Sequence, residues 1–189
     1  MNKLTHAAAK TVFSGVVDYA IGQVNKNPEE AYEKIIDTAE KHMKDFQTGV
    51  NWDYLRRVAC NPEYTLNRYI TSMVKELHPN VLKTTLMNLG FEAFYNGTKT
   101  IREMRKIHNC NIPWIILMDP TSACNLHCTG CWAAEYGHQL NLSLETIDSI
   151  VKQGKKLGTY MYIYTGGEPL VRKQDLIKIC EMNPDCEFL

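Results

Sequence analysis

An α/β fold, with a parallel sheet preceded by an all-helical region, is the architecture this sequence predicts, on three observations. Residues 1–110 carry helix-start signals and apolar residues at helical spacing, without repeats or low complexity. Near Asn109-Cys110-Asn111 the pattern changes to two short apolar runs, 114–118 and 160–164, each followed by a loop and then a helical segment. Strand, helix, strand, helix at this spacing requires right-handed parallel crossovers, and in such sheets functional loops gather at the carboxyl ends of the strands. Two domains follow: a helical region over 1–110 and a strand-bearing region over 111–189.

The first segment, 4–24, is loosely helical, with Ala7, Thr11, Val12, Val16, Tyr19 and Ala20 on one face and Gly15 and Gly22 weakening it. Asn27-Pro28-Glu29-Glu30 opens a second helix: Asn27 caps it, Pro28 takes its first position, and two acids occupy its first turn. Ala31, Ile35, Ala39 and Met43 form its stripe. Asn61-Pro62-Glu63 repeats that signature and starts a helix through Tyr64, Leu66, Ile70 and Val74, which stops near His78-Pro79 because proline disfavours helix in the residue before it. Val81, Leu82, Leu86, Leu89, Phe91, Phe94 and Tyr95 then predict a broad, well-buried face ending at Asn96-Gly97. The segment from 98 to 108 is amphipathic and basic, with two readings: a solvated face, or a contact with phosphate or an anionic lipid surface.

In the second region, 112–118 is a nearly continuous apolar run, read from Trp114 as a buried strand with Pro113 confined to its start. Ser143 caps a helix with Leu144, Ile147, Ile150 and Val151 inward, Lys152, Lys155 and Lys156 in its last turns, and Gly158 as its stop. Residues 160–164 form the second strand, 165–169 a turn, 174–182 a second helix, and Glu187-Phe188-Leu189 the start of a third strand. If the first two strands are neighbours, the loops that follow them face each other across one rim.

Composition narrows the function. Acidic and basic residues balance at 21 each, so bulk charge makes no case for a nucleic-acid partner. No apolar run reaches the ~18 residues that span a bilayer, and residues 1–22 lack a signal-peptide pattern, so a cytoplasmic location is expected. Three of the seven cysteines are too tightly clustered for a disulfide framework, which points to a reducing compartment and metal chemistry. Cys60, Cys110, Cys180 and Cys186 lie outside the cluster and read as small buried hydrophobes.

The cluster is Cys124-Asn125-Leu126-His127-Cys128-Thr129-Gly130-Cys131, a C-x3-C-x2-C loop after the first strand. Three thiolates rather than four leave one iron of a four-iron cluster open to a substrate or cofactor. Zinc stays open too, because His127 completes a Cys3His set, although structural zinc sites usually draw paired ligands from two separated places. Thr165-Gly166-Gly167-Glu168-Pro169 follows the second strand. Its glycines allow close approach of a ligand to the backbone, and Glu168 offers a carboxylate to an ammonium group. An ordinary strand-to-helix turn with Glu168 as a helix-start acid is the plainer reading.

Together the two motifs, in this order, separation and strand context, resemble those of the radical S-adenosylmethionine (radical SAM) enzymes. The resemblance implies that Cys124, Cys128 and Cys131 bind a [4Fe-4S] cluster whose open iron is chelated by SAM, and that Gly166, Gly167 and Glu168, stiffened by Pro169, receive the SAM amino group. It implies reductive cleavage of SAM to a 5'-deoxyadenosyl radical, an electron donor such as flavodoxin or ferredoxin, and hydrogen abstraction from an unidentified substrate. The family usually places an aromatic residue just before the third cysteine, where this chain has Gly130; Trp132 takes that part or simply packs. The implied fold is a partial (β/α) barrel of radical SAM type, truncated after its first two strand–helix units, because residues 113–189 fall well short of the ~200 or more such a barrel needs. An unfinished sheet leaves a raw pairing edge near 160–164 or Phe188. The rival from another class is a non-catalytic iron–sulfur or zinc-binding module.

Overall fold

A computed structural model of the chain describes residues 3–43, 51–131, 137 and 139–189. It divides into two compact units, Met1–Leu86 and Met87–Leu189. Strands begin only at Ile115, so the second unit also takes in helical residues ahead of the pattern change near 110.

The first unit contains α1 (Lys3–Lys26), α2 (Pro28–Met43), α3 (Trp52–Ala59), α4 (Thr65–Glu76) and α5 (Pro79–Thr85). Its core gathers Val24, Ala31 and Tyr32, with Ile35, Cys60, Ile70 and Val74 packed against them. The hydroxyls of Tyr32 and Thr71 meet at 2.8 Å and tie α2 to α4. Pro28 opens α2 as its cap signature requires. On α1 the buried residues are Val17 and Val24, whereas Val12, Val16 and Tyr19 stand exposed. That corrects the expected face: apolar residues surround α1, so packing on α2 and α4, rather than periodicity, selects the buried stripe.

Two local motifs differ from expectation in the same unit. Asn61 does not start α4; its Oδ1 accepts the Glu63 N–H at 2.9 Å and its carbonyl accepts the Tyr64 N–H at 3.1 Å, forming a turn that delays the helix to Thr65. Asn51 instead caps an unanticipated helix, α3, by accepting the Tyr54 N–H at 2.8 Å. The break before Pro79 is as expected, with His78 extended at ψ 132°.

A π-helix, Leu86–Gly97, runs directly into α6 (Thr98–His108). Asn96-Gly97 therefore does not end the helical path, because Gly97 takes right-handed helical angles, φ −63° and ψ −49°. Met87, Phe91 and Ala93 are buried but Phe94 and Tyr95 are exposed, so the expected apolar face is only partly covered. The wider π-helical turn changes which residues share a face from a 3.6-residue pattern. On α6, Ile101 is buried while Arg105, Lys106 and His108 are exposed, so the helix is amphipathic with its basic residues outward.

The remainder of the second unit is β1 (Ile115–Met118), α7 (Leu144–Leu157), β2 (Met161–Tyr164), α8 (Lys173–Met182) and β3 (Glu187–Phe188). The sheet is parallel in the order β1-β2-β3, with Met118 opposite Tyr164 and Tyr162 opposite Phe188. Ser143 caps α7 by accepting the Thr146 N–H at 3.1 Å, and Gly158 ends it with φ 97°. Met118 and Tyr162 from the sheet, Ile147 and Val151 from α7, Ile179 from α8, and Cys186 form one buried core. The fold is thus α/β with a three-stranded parallel sheet.

Leu117 is 60% exposed, so β1 is not buried on both faces as its continuous apolar sequence suggested. The helices cover the face of Met118 and Tyr162, and Leu117 has the opposite parity. The sheet's edges are β1 and β3, with β2 central rather than an edge. Cys186 is buried as expected, but Cys110 and Cys180 are exposed and Cys60 is half-buried. Among the described residues no helix is long and apolar enough to cross a membrane.

Candidate cofactor site

Because β1 and β2 are adjacent and parallel, the loops that leave Met118 and Tyr164 start from the same rim. They are also bonded to each other. The Thr165 N–H donates to the Met118 carbonyl at 3.0 Å, the Gly167 N–H to Thr121 at 3.0 Å, and the Glu168 N–H to Ala123 at 2.9 Å. The glycine turn continues the sheet's hydrogen bonding one residue short of Cys124.

This approach explains both glycines. Gly166 has φ +99°, and a Cβ there would lie 2.6 Å from the Asp119 Cβ and 3.0 Å from the Thr121 carbonyl oxygen. A Cβ at Gly167 would strike the Ala123 carbonyl and come within 2.8 Å of the Ser122 carbonyl carbon. The space that a side chain needs at 166 and 167 is filled by the segment leading to the cysteines.

The base of the cysteine loop is closed by a short antiparallel bridge of Thr121 with Asn141. The Ser122 N–H donates to the Leu140 carbonyl at 2.8 Å, the Leu140 N–H to Ser122 Oγ at 3.0 Å, and the Leu142 N–H to the Pro120 carbonyl at 3.0 Å. Thr121 Oγ1 donates to Asn141 Oδ1 at 2.6 Å and accepts the Ala123 N–H at 3.0 Å. Within the loop, the Leu126 N–H donates to Cys124 Sγ at 3.4 Å, and the Cys131 N–H to the Cys128 carbonyl at 3.2 Å.

Cys128 is exposed, Cys124 and Cys131 are half-buried, and none of the three is in a disulfide. His127 is exposed beside them. Among the described residues no three of His, Cys, Asp and Glu converge as one metal ion requires. Glu168 Oε1 accepts the Leu170 N–H at 2.9 Å, capping a 3-10 turn, Pro169–Arg172. Trp132, the candidate aromatic contact, lies outside the described residues.

A family model for the radical SAM superfamily matches residues 118–187, a stretch that includes both loops. Residues 118–187 are thus similar to the radical SAM superfamily. A GTP 3',8-cyclase from Alkaliphilus oremlandii (strain OhILAs) is 48% identical to this chain over 56 residues, which are 28% of this chain and 18% of that protein. The chain therefore matches under a fifth of the length of this curated relative. No solved structure matches the chain.

Sequence reasoning missed Thr121, Asn141 and Arg172 in this segment. Arg172 Nη1 donates to the Pro120 carbonyl at 2.8 Å and also to the Leu142 carbonyl, while its Nε and Nη2 reach Asp175 Oδ2 at 3.1 and 2.8 Å. Two of these partners are backbone carbonyls, which no side-chain pattern displays. The bridge between Thr121 and Asn141 spans the whole cysteine loop and is equally invisible to local periodicity.

Proposed function

We propose that this chain carries the opening part of a (β/α) barrel of radical SAM type, and that it starts radical chemistry on a separate substrate. In this reading Cys124, Cys128 and Cys131 hold a [4Fe-4S] cluster, Gly166, Gly167, Glu168 and Pro169 receive the amino group of SAM, and Trp132 meets its adenine. The observation that carries the reading is the bond from the Glu168 N–H to the Ala123 carbonyl, which joins the carboxylate-bearing turn to the residue before Cys124.

The donor set fits such a cluster. Three thiols outside any disulfide lie on one loop, and the Cys124 sulfur accepts the Leu126 N–H. When bound, a [4Fe-4S] cluster with an open iron supplies the electron and the chelation site for reductive cleavage of SAM.

The chain's own residues would bind and orient. Gly166 and Gly167 keep the turn against the cysteine segment, and the Leu170 N–H holds the Glu168 carboxylate in place for an ammonium group. The same proposal includes an electron donor such as flavodoxin or ferredoxin, an oxidoreductase or transferase outcome, and a cytoplasmic, reducing location suited to thiols outside disulfides. One feature favours the rival, a non-catalytic iron–sulfur or zinc module: the Glu168 bond to Leu170 is also what an ordinary turn makes.

Anaerobic reconstitution of the full chain tests the two. About four irons per chain, together with SAM-dependent release of 5'-deoxyadenosine on reduction, is the expected result. One bound zinc and no SAM cleavage would sink the proposal.

A further inference from the structure

We propose that Arg172 is a positioning residue that sets the cysteine loop against the glycine turn. The inference rests on the radical SAM reading of that loop. Arg172 is the last residue of the 3-10 turn that follows Glu168 and Pro169, so it belongs to the same short segment as the turn itself. Its side chain is 16% exposed and its guanidinium has three partners in two directions. Nη1 donates to the Pro120 carbonyl at 2.8 Å and to that of Leu142, one on each side of the loop's base. Nε and Nη2 grip Asp175 Oδ2 at the start of α8, at 3.1 and 2.8 Å.

The Pro120 carbonyl thus accepts both the Leu142 N–H that closes the loop and the arginine that ties it to the turn. The 120–123 segment is held on one side by Arg172 and on the other by the Gly167 and Glu168 N–H groups, which bond Thr121 and Ala123. Both grips come from the chain between 167 and 172. A planar guanidinium can serve two carbonyls and a carboxylate at once, whereas a lysine ammonium has no fork to match this arrangement. Asp175 balances the charge, so the pin stays in place without SAM or a cluster present. Arg172 need not touch a cofactor for its loss to be felt, because small misplacements of positioned groups cost binding and rate steeply.

The test compares the full chain with its Arg172→Lys and Arg172→Met variants, by amide hydrogen exchange in the metal-free protein and by EPR titration with SAM after reconstitution. In Arg172→Met, exchange at the Ser122, Leu140 and Leu142 amides should rise about tenfold while α7 keeps wild-type protection. Iron content should stay near wild type, since all three cysteines remain. The SAM concentration that half-converts the EPR signal should rise about tenfold, with Arg172→Lys in between. Wild-type exchange at the three amides would overturn the inference, as would faster exchange with an unchanged SAM midpoint, which marks a merely structural residue. If Arg172→Met does not fold, Arg172→Lys decides by the same two readouts. A wild-type chain that binds iron but gives no EPR response to SAM fails the radical SAM reading and takes this inference with it; a responsive wild type with an insensitive variant overturns the inference alone.

Discussion

The Glu168 N–H donates to the Ala123 carbonyl at 2.9 Å, so the carboxylate-bearing turn after β2 is bonded directly to the residue before Cys124. The two candidate halves of the site therefore cannot shift independently. A change in the turn must be felt at the cysteines, and the reverse.

Gly167→Ala tests that coupling. The new methyl group meets backbone rather than a side chain that could rotate away, so the 122–123 segment must move. We expect a loss of roughly 1–3 kcal/mol in stability, read as a lower thermal midpoint, together with weaker SAM binding after reconstitution. A variant as stable as wild type, with the same SAM midpoint, would contradict the close approach.

Thiol labelling separates the seven cysteines. In the metal-free chain at pH 8, Cys110 and Cys128 should be alkylated first because both are exposed, ahead of Cys180, which is also exposed but whose thiol is pushed up by partial burial. Cys186 should react last: burial, helped by Asp185 nearby, pushes its thiol up to about 12, which leaves little thiolate. After anaerobic reconstitution, Cys124, Cys128 and Cys131 should become protected while Cys110 stays reactive. Peptide mass spectrometry reads both patterns, and unchanged labelling of the three would remove them from the proposed ligand set.

Acid stability should depend on Asp148. The Lys152 ammonium holds its carboxyl below the usual carboxylate range, burial opposes this, and Asn183 Nδ2, donating to Oδ1 at 3.1 Å, adds to the lowering. A depressed folded-state pKa gives stability that is present above the unfolded value, about 3.9, and is lost as pH falls through the folded one. Asp148→Asn should therefore lower stability at neutral pH and flatten the decline below about pH 4. Urea midpoints measured at pH 7 and pH 3 check this; equal losses at both would refute it.

Local chemistry was legible in the sequence wherever a residue acts on its near neighbours. Ser143 and Gly158 marked the two ends of α7, Pro28 and Pro79 marked helix boundaries, and the two apolar runs located β1 and β2. The same local reasoning failed where two short-range options compete. Asn61 spends its side chain on a turn while Asn51 caps a helix, although both precede similar segments. On α1, the π-helix and β1, the buried face depended on neighbouring elements, and periodicity misjudged it.

For the site, the sequence by itself determined the donors: three thiols in C-x3-C-x2-C spacing and a glycine-glycine-glutamate turn, each after a strand. Only the tertiary structure decided that the turn bonds to the cysteine segment, that Ser122 and Ala123 occupy the space beside Gly167, and that Arg172 pins the loop's base. The reason is physical. Side-chain identity is written in the sequence, but these contacts are made largely through backbone carbonyls and amides, which every residue carries alike and only the register of β1 against β2 brings together.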